Sequence, residues 1–338
     1  MDSFLSRLVA AGVRIPERLI WHIFGCLTRA CLGIEYPADE QVVWNNIRAT
    51  GGRYGPPFSE TLEHPGSVPR PRQKTNVIHF DIRPANILVG DVNVGGDPDG
   101  VTPQDRRGYN DRHTLAPVFK IADFSSARRW QGGLASDPFL LQRTREFGVP
   151  AYYTPEQFTE EWDAVNFLPD WQHNYVAGRY SWKTNLYQIG LVMYNAITLR
   201  QCAGGSSRLR WDTYNLPDLS GVPHGPWPFT QRKSWSVDLV QLNNSLGVNA
   251  YSNDLIELVQ LCLCDKPESR PDPRYVLEVI AWRLDNHPWP ANEDHNAIQA
   301  FINAHVAAPP PPPVNHFAML QNYLRAGGPA ALQPALRV

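Results

Sequence analysis

The chain has 338 residues, 43% of them apolar, enough to bury a sizeable core, which excludes a mainly disordered polypeptide. Lys plus Arg number 31 against 33 for Asp plus Glu, a net charge of −2, so no basic field is available to grip nucleic acid or an acidic membrane. The five cysteines, Cys26, Cys31, Cys202, Cys262 and Cys264, form an odd set without a CxxC pair; this argues against a disulfide framework or zinc ribbon and for a reducing, intracellular compartment, cytoplasmic or nuclear.

Residues 1–12 predict a short helix closed by Gly12, with Phe4, Leu5, Leu8 and Val9 on one face, and Asp2 and Arg7 interrupt any signal-peptide apolar region. Pro16 suits a first helical turn, and from it Leu19, Ile20, Ile23, Phe24, Leu27, Ala30, Cys31 and Ile34 recur at three- and four-residue intervals. That spacing predicts a long amphipathic helix. His22 and Arg29 break its apolar stretch, so neither secretion nor membrane insertion is expected. Residues 37–76 are punctuated by glycines and prolines and read as a long surface loop inserted into the domain.

Val77-Ile78, Ile87-Leu88-Val89 and residues 118–121 are short apolar runs suited to buried strands, with residues 91–116 an insertion between the last two. The insertion opens like a calcium loop, but Gly95 at position five and Thr102 at position twelve remove the required ligands. Residues 184–198 are apolar nearly all round, which predicts a helix at the domain centre. Two more helices are expected over 254–264 and 274–284, separated by Pro267, Pro271 and Pro273. Residues 285–338 form a looser tail: five consecutive prolines at 309–313 make a stiff spacer before a short helix at 314–326. The spacer is also a candidate dock for a groove that reads polyproline, although a solvated linker is the plainer reading. The fold class is mainly α with a small β-element, an α+β domain over residues 1–284.

Chemistry concentrates in the β-element. The run from His79 to Asn86 sets a carboxylate, Asp81, and a carboxamide, Asn86, five residues apart between two short strands, and a second carboxylate, Asp123, follows the third strand. Phosphoryl transfer needs such a set: one carboxylate to orient an attacking hydroxyl, and an amide oxygen with a further carboxylate to hold Mg²⁺ against phosphates. The stretch His79-Phe80-Asp81-Ile82-Arg83-Pro84-Ala85-Asn86 resembles the protein-kinase catalytic loop H-R-D-L-x-x-x-N, and Asp123-Phe124-Ser125 resembles D-F-G. Gly148-Val149-Pro150-Ala151-Tyr152-Tyr153-Thr154-Pro155-Glu156 is similar to the segment ending A-P-E, Arg270 stands where a buried arginine partners that glutamate, and Asn185 falls where the family's central helix usually carries Asp.

The resemblance to eukaryotic-type Ser/Thr protein kinases implies a kinase C-terminal lobe, with its N-terminal lobe absent. It makes Asp81 the catalytic base, sets Arg83 where a lysine contacts the transferred phosphate, and makes Asn86 and Asp123 the Mg²⁺ ligands and Leu88 the floor of the ATP adenine pocket. His79 and Phe124 would stack in the lobe's apolar spine. ATP and Mg²⁺ are then the implied cofactors, and a protein Ser/Thr hydroxyl the implied substrate.

Departures from the pattern keep other functions open. No GxGxxG precedes residue 79, Ser125 replaces the glycine of D-F-G, and Val149 removes a hydroxyl that Ser/Thr kinases aim at the catalytic Asp. Phe80 replaces an arginine that receives an activation-loop phosphate in many kinases, so control by such a phosphate is not expected; Ser136 and Thr144 remain modifiable hydroxyls. The alternatives are a pseudokinase acting as a protein-binding module, or a truncated reading of a longer kinase. Leu88, His79 and Phe124 read as core positions under every function, although a lobe standing by itself would leave Leu88, Phe124 and the top of the Pro16 helix uncovered. Cys26, Cys31, Cys262 and Cys264 read as small apolar packing residues.

Overall fold

A computed structural model describes residues 1–36, 75–90, 116–130, 137–163, 176–200, 212–214, 232–236, 238–245 and 250–306. The loop expected at 37–76 (apart from its last two residues), the insertion at 91–116 (apart from Ala116), Cys202, Ser136, the polyproline spacer and the helix expected at 314–326 lie outside the described residues.

In chain order the elements are α1 (Asp2–Ala11), α2 (Glu17–Glu35), β1 (Val77–Ile78), β2 (Ile87–Val89), β3 (Phe119–Ile121), β4 (Arg128–Arg129), α3 (Pro138–Thr144), α4 (Pro155–Phe158), α5 (Trp182–Thr198), β5 (Asp212–Tyr214), β6 (Arg232–Ser234), α6 (Asp238–Ser245), α7 (Asn253–Cys262), α8 (Pro273–Asn286) and α9 (His295–His305). Each strand pair is antiparallel and two-stranded: β1 with β4, β2 with β3, β5 with β6. The described fold is therefore mostly helical with small antiparallel strands, as the apolar periodicities predict. No helix among the described residues is long and apolar enough to cross a membrane.

Helix α1 ends where Gly12 takes a left-handed backbone, φ +64°, and its N–H caps the last turn. Phe4, Leu5 and Leu8 are buried as expected, but Val9 is exposed, because the buried stripe on this short helix is narrower than the four-residue face expected. The α2 helix packs against α8, α5 and β3, and every residue from Leu19 to Thr28 is buried, followed by Cys31, Leu32 and Glu35. At its start Pro16, Glu17 and Arg18 are half-buried. Every residue of α5 from Thr184 to Thr198 is buried, so this helix is the axle of the core. A capping box between Ser181 and Thr184 starts it.

The segment after α8 joins the same core. Ile298 and Ile302 of α9 are fully buried in it. The carboxylate of Glu293 caps α2 from a distance, accepting from the N–H groups of Glu17 at 3.1 Å and Arg18 at 2.8 Å. The described residues, all within 1–306, belong to one compact unit.

Candidate functional site

Two short strand pairs bring the candidate residues together. In the β2–β3 ladder Ile87 faces Ile121, and one step beyond it the Ala122 N–H donates to the Asn86 carbonyl at 2.9 Å. Asn86 and the residue before Asp123 are therefore joined through their backbones. A single 3-10 turn at Pro84–Asn86 returns the chain from Asp81 so that the Asn86 side chain reaches it. Its Nδ2 donates to the Asp81 Oδ2 at 2.7 Å and to the Asp81 carbonyl at 2.9 Å. Both amide protons are used inward, which leaves Oδ1 as the acceptor Asn86 can offer a cation.

Asp81 and Asn86 are both buried. The Arg83 Nε donates to both Asp81 carboxylate oxygens, at 3.1 and 3.2 Å, from a side chain that is 31% exposed. Asp123 is exposed and has a left-handed backbone, φ +61°. Hydrogen bonds from the Ser125 side chain and N–H hold its carboxyl below the usual Asp value, so it is an anion at neutral pH.

His79 ties the two halves. Its Nδ1 accepts from the Asp81 N–H at 3.3 Å while Nε2 donates to the Ala122 carbonyl at 3.1 Å, an arrangement that suits the neutral imidazole. Burial lowers its pKa, against smaller opposing contributions from the Ala122 carbonyl and the two aspartates. Its ring meets Phe124 at 4.7 Å.

Sequence reasoning placed Leu88 and Phe124 in the core. The structure leaves Leu88 58% and Phe124 49% exposed, because the described residues cover only one face of the β2–β3 ladder and of the turn after it. Their exposure agrees with the narrower expectation that these two would lie uncovered.

Asn185 and Gln188, one turn apart on α5, carry the catalytic-loop candidate from below. Asn185 Oδ1 accepts from the His79 N–H at 2.8 Å and its Nδ2 donates to the Val77 carbonyl at 2.9 Å. Gln188 Oε1 accepts from the Ile82 N–H at 3.2 Å, and Nε2 donates to the carbonyls of Phe80 and Tyr152, each at 3.0 Å. Gln188 was not singled out from sequence; the available signal was a pair of amides at i and i+3 in a helix apolar nearly all round. Behind them Glu156 and Arg270 form the ion pair anticipated from sequence, bidentate at 2.7 and 2.8 Å and fully buried on both sides.

Among the described residues no three His, Cys, Asp or Glu side chains gather as a metal site. The donors present, one ionised carboxylate and one amide oxygen, fit Mg²⁺, which takes oxygen ligands and is commonly held by one or two carboxylates together with substrate phosphates.

Comparison with known proteins gives one partial likeness. No protein-family model matches the chain. Over 109 residues the sequence is 28% identical to the serine/threonine-protein kinase Nek9 of Xenopus laevis, a stretch covering 31% of this chain and 9% of that protein. The chain is thus weakly similar, over part of its length, to a Ser/Thr protein kinase, and the match spans less than a tenth of that relative.

Proposed function

We propose that residues 1–306 form a protein-kinase-like C-terminal lobe whose reaction is transfer of a phosphoryl group from ATP to a protein Ser or Thr hydroxyl. One observation carries the reading: Asn86 is bonded through its side chain to Asp81 and through its backbone to the strand end that presents Asp123. In that reading Asp81, buried but held by two donors, orients the acceptor hydroxyl and takes its proton. Asn86 through Oδ1 and Asp123 through its carboxylate are the groups that would hold Mg²⁺, which supplies charge neutralisation on the phosphates. Arg83 lies beside Asp81 and carries a fixed positive charge, so its role is to draw the phosphoryl oxygens toward the acceptor. Leu88, exposed beside this set, offers apolar area to the adenine ring.

The similarity to a Ser/Thr kinase over 109 residues supports the reading and does not by itself extend that relative's activity to this chain. A second reading, a pseudokinase that binds a protein partner, draws on the exposed apolar pair Leu88 and Phe124.

Thermal unfolding with and without Mg·ATP separates the two. A ligand held at 100 times its Kd stabilises by about 2.7 kcal/mol, and this shift is expected in the native chain and lost in Asp123→Ala. Asp81→Asn is expected to keep the shift and abolish transfer to a protein substrate. No Mg·ATP shift in the native chain refutes the enzyme reading and leaves the binding module.

A further inference from the structure

A second apolar cluster stands apart from the main core and is built on the residue that precedes Asp81. Phe80 is fully buried and its backbone is left-handed, φ +64°. A residue with a bulky side chain keeps that conformation only where its surroundings enforce it. Here the surroundings are rings. Phe80 meets Phe147 edge-on at 5.8 Å and Tyr180 at 5.2 Å, and Tyr180 meets Trp130 at 5.1 Å. Leu141 from α3 and Trp162 complete the packing.

Backbone contact reinforces the rings. A β-carbon on Gly148, φ +87°, would lie 2.1 Å from the Phe80 carbonyl oxygen, so the chain at 148 rests directly on the residue next to Asp81. Gln188 joins that same carbonyl to Tyr152.

Positive charge approaches the cluster as ring contacts. The Arg128 guanidinium lies 4.6 Å over Phe147 and donates to the Ala127 carbonyl, and Arg145 lies 5.4 Å over Trp162 and donates to the Gln157 carbonyl. Thr144, a modifiable hydroxyl by sequence, is 1% exposed and donates to the Leu140 carbonyl at 2.7 Å, out of reach of a modifying enzyme.

We propose that this aromatic cluster clamps residues 141–153 against the loop 79–86, and that Phe80 is a positioning residue that aims Asp81. The second clause rests on the phosphoryl-transfer reading; the first does not.

Hydrogen exchange on the full chain tests the clamp, using Phe147→Ala and Phe147→Tyr. The Phe147 ring is only partly buried, so truncating it spares the main core. Peptides from 141–153 and 79–86 should exchange about tenfold faster in Phe147→Ala and near the native rate in Phe147→Tyr, with 186–197 unchanged in both. Salt at about 1 M, where the Debye length is about 3 Å, and phosphatase treatment should leave the native pattern intact. Equal exchange in Phe147→Ala and the native chain, or protection lost to salt or phosphatase, overturns the clamp. In a transfer assay Phe147→Ala should lower kcat several-fold with KM for ATP unchanged, and Phe147→Tyr should restore it; a rise in KM alone overturns the positioning role. An intact exchange pattern in a protein that neither binds Mg·ATP nor transfers phosphate leaves the clamp standing and removes the positioning role together with the enzyme reading.

Discussion

Replacing Arg270 by Met tests the most densely bonded buried group of the described fold. The guanidinium uses five N–H donors: Nε to the Cys264 carbonyl at 2.8 Å, one terminal nitrogen to Glu156 and the Lys183 carbonyl, the other to Glu156 and the Asp265 carbonyl. Its plane also lies 4.7 Å over the Tyr187 ring. Met fills a similar length of stem but offers no donor, so the fully buried Glu156 carboxylate keeps only the Thr184 hydroxyl, at 2.8 Å, among these partners. Removing one member of a buried ion pair costs about 3–5 kcal/mol, because the charge left behind has lost both its partner and its water. That is a large share of the 5–15 kcal/mol that stabilises an ordinary domain, roughly a fifth or more. Urea unfolding followed by circular dichroism measures it as a lower midpoint at unchanged slope. The double variant with Glu156→Leu should recover about 1–3 kcal/mol, since apolar replacement of both partners is often near neutral. Recovery stays partial because three backbone carbonyls still lack the donors they had. A loss under about 1 kcal/mol in the single variant, or no recovery in the double, would refute the premise that burial makes this pair costly to break.

Four further outcomes follow from the same geometry. Asn185→Asp keeps the acceptor for the His79 N–H but turns the donor that serves the Val77 carbonyl into an oxygen, so denaturant unfolding should show a loss of about 1–3 kcal/mol. Gly148→Ala drives a β-carbon to 2.1 Å from the Phe80 carbonyl at a positive φ, and should cost about 2 kcal/mol or more by the same measurement; a neutral result would mean the two chain segments separate freely. Ile302→Ala empties a fully buried site between α9 and the main core, at about 2–5 kcal/mol, whereas an independent tail would make it silent. For pH, burial depresses the His79 pKa below its ordinary 6.5, so the unfolded chain takes up a proton that the folded one resists. Its stabilising contribution is complete above 6.5 and is lost as pH falls from 6.5 toward the lower folded value; burial shifts the half-buried His287 the same way. A His79→Gln variant whose pH–stability slope in this window equals that of the native chain counts against the assignment.

Several elements were legible because their signal is local. The 3.6-residue periodicity from Leu19 to Ile34 requires only that one face be apolar, and the α2 helix buries that face from Leu19 to Leu27 and at Cys31, with Ala30 and Ile34 half-buried. The all-round apolar run at 184–198 was likewise a direct statement that this helix has no solvent face. The positions of Asp81, Asn86, Asp123, Glu156 and Arg270 were marked by residue type and order along the chain. Helix α9 escaped notice because its two buried residues, Ile298 and Ile302, make a stripe too narrow to register among polar neighbours. Val9 was misjudged for the opposite reason, and Leu88 and Phe124, core positions by residue type, lie open as expected of a lobe standing by itself: apolar character states what a residue prefers, and its burial depends on which elements come to cover it.

The amino-acid sequence by itself determined the helical class, the central buried helix, three of the short strands and the order of the polar residues between them, since these follow from periodicity and residue chemistry within one segment. Tertiary structure alone decided that Asn86 turns both amide protons on Asp81, that Gln188 joins the Phe80 and Tyr152 carbonyls, that Glu293 caps a helix that begins at Glu17, and that Phe80 meets the rings of Phe147 and Tyr180, with Trp130 against Tyr180. Each of these is a contact between groups that no spacing rule relates. They arise when apolar burial draws distant segments together and the polar groups carried inward must find partners there.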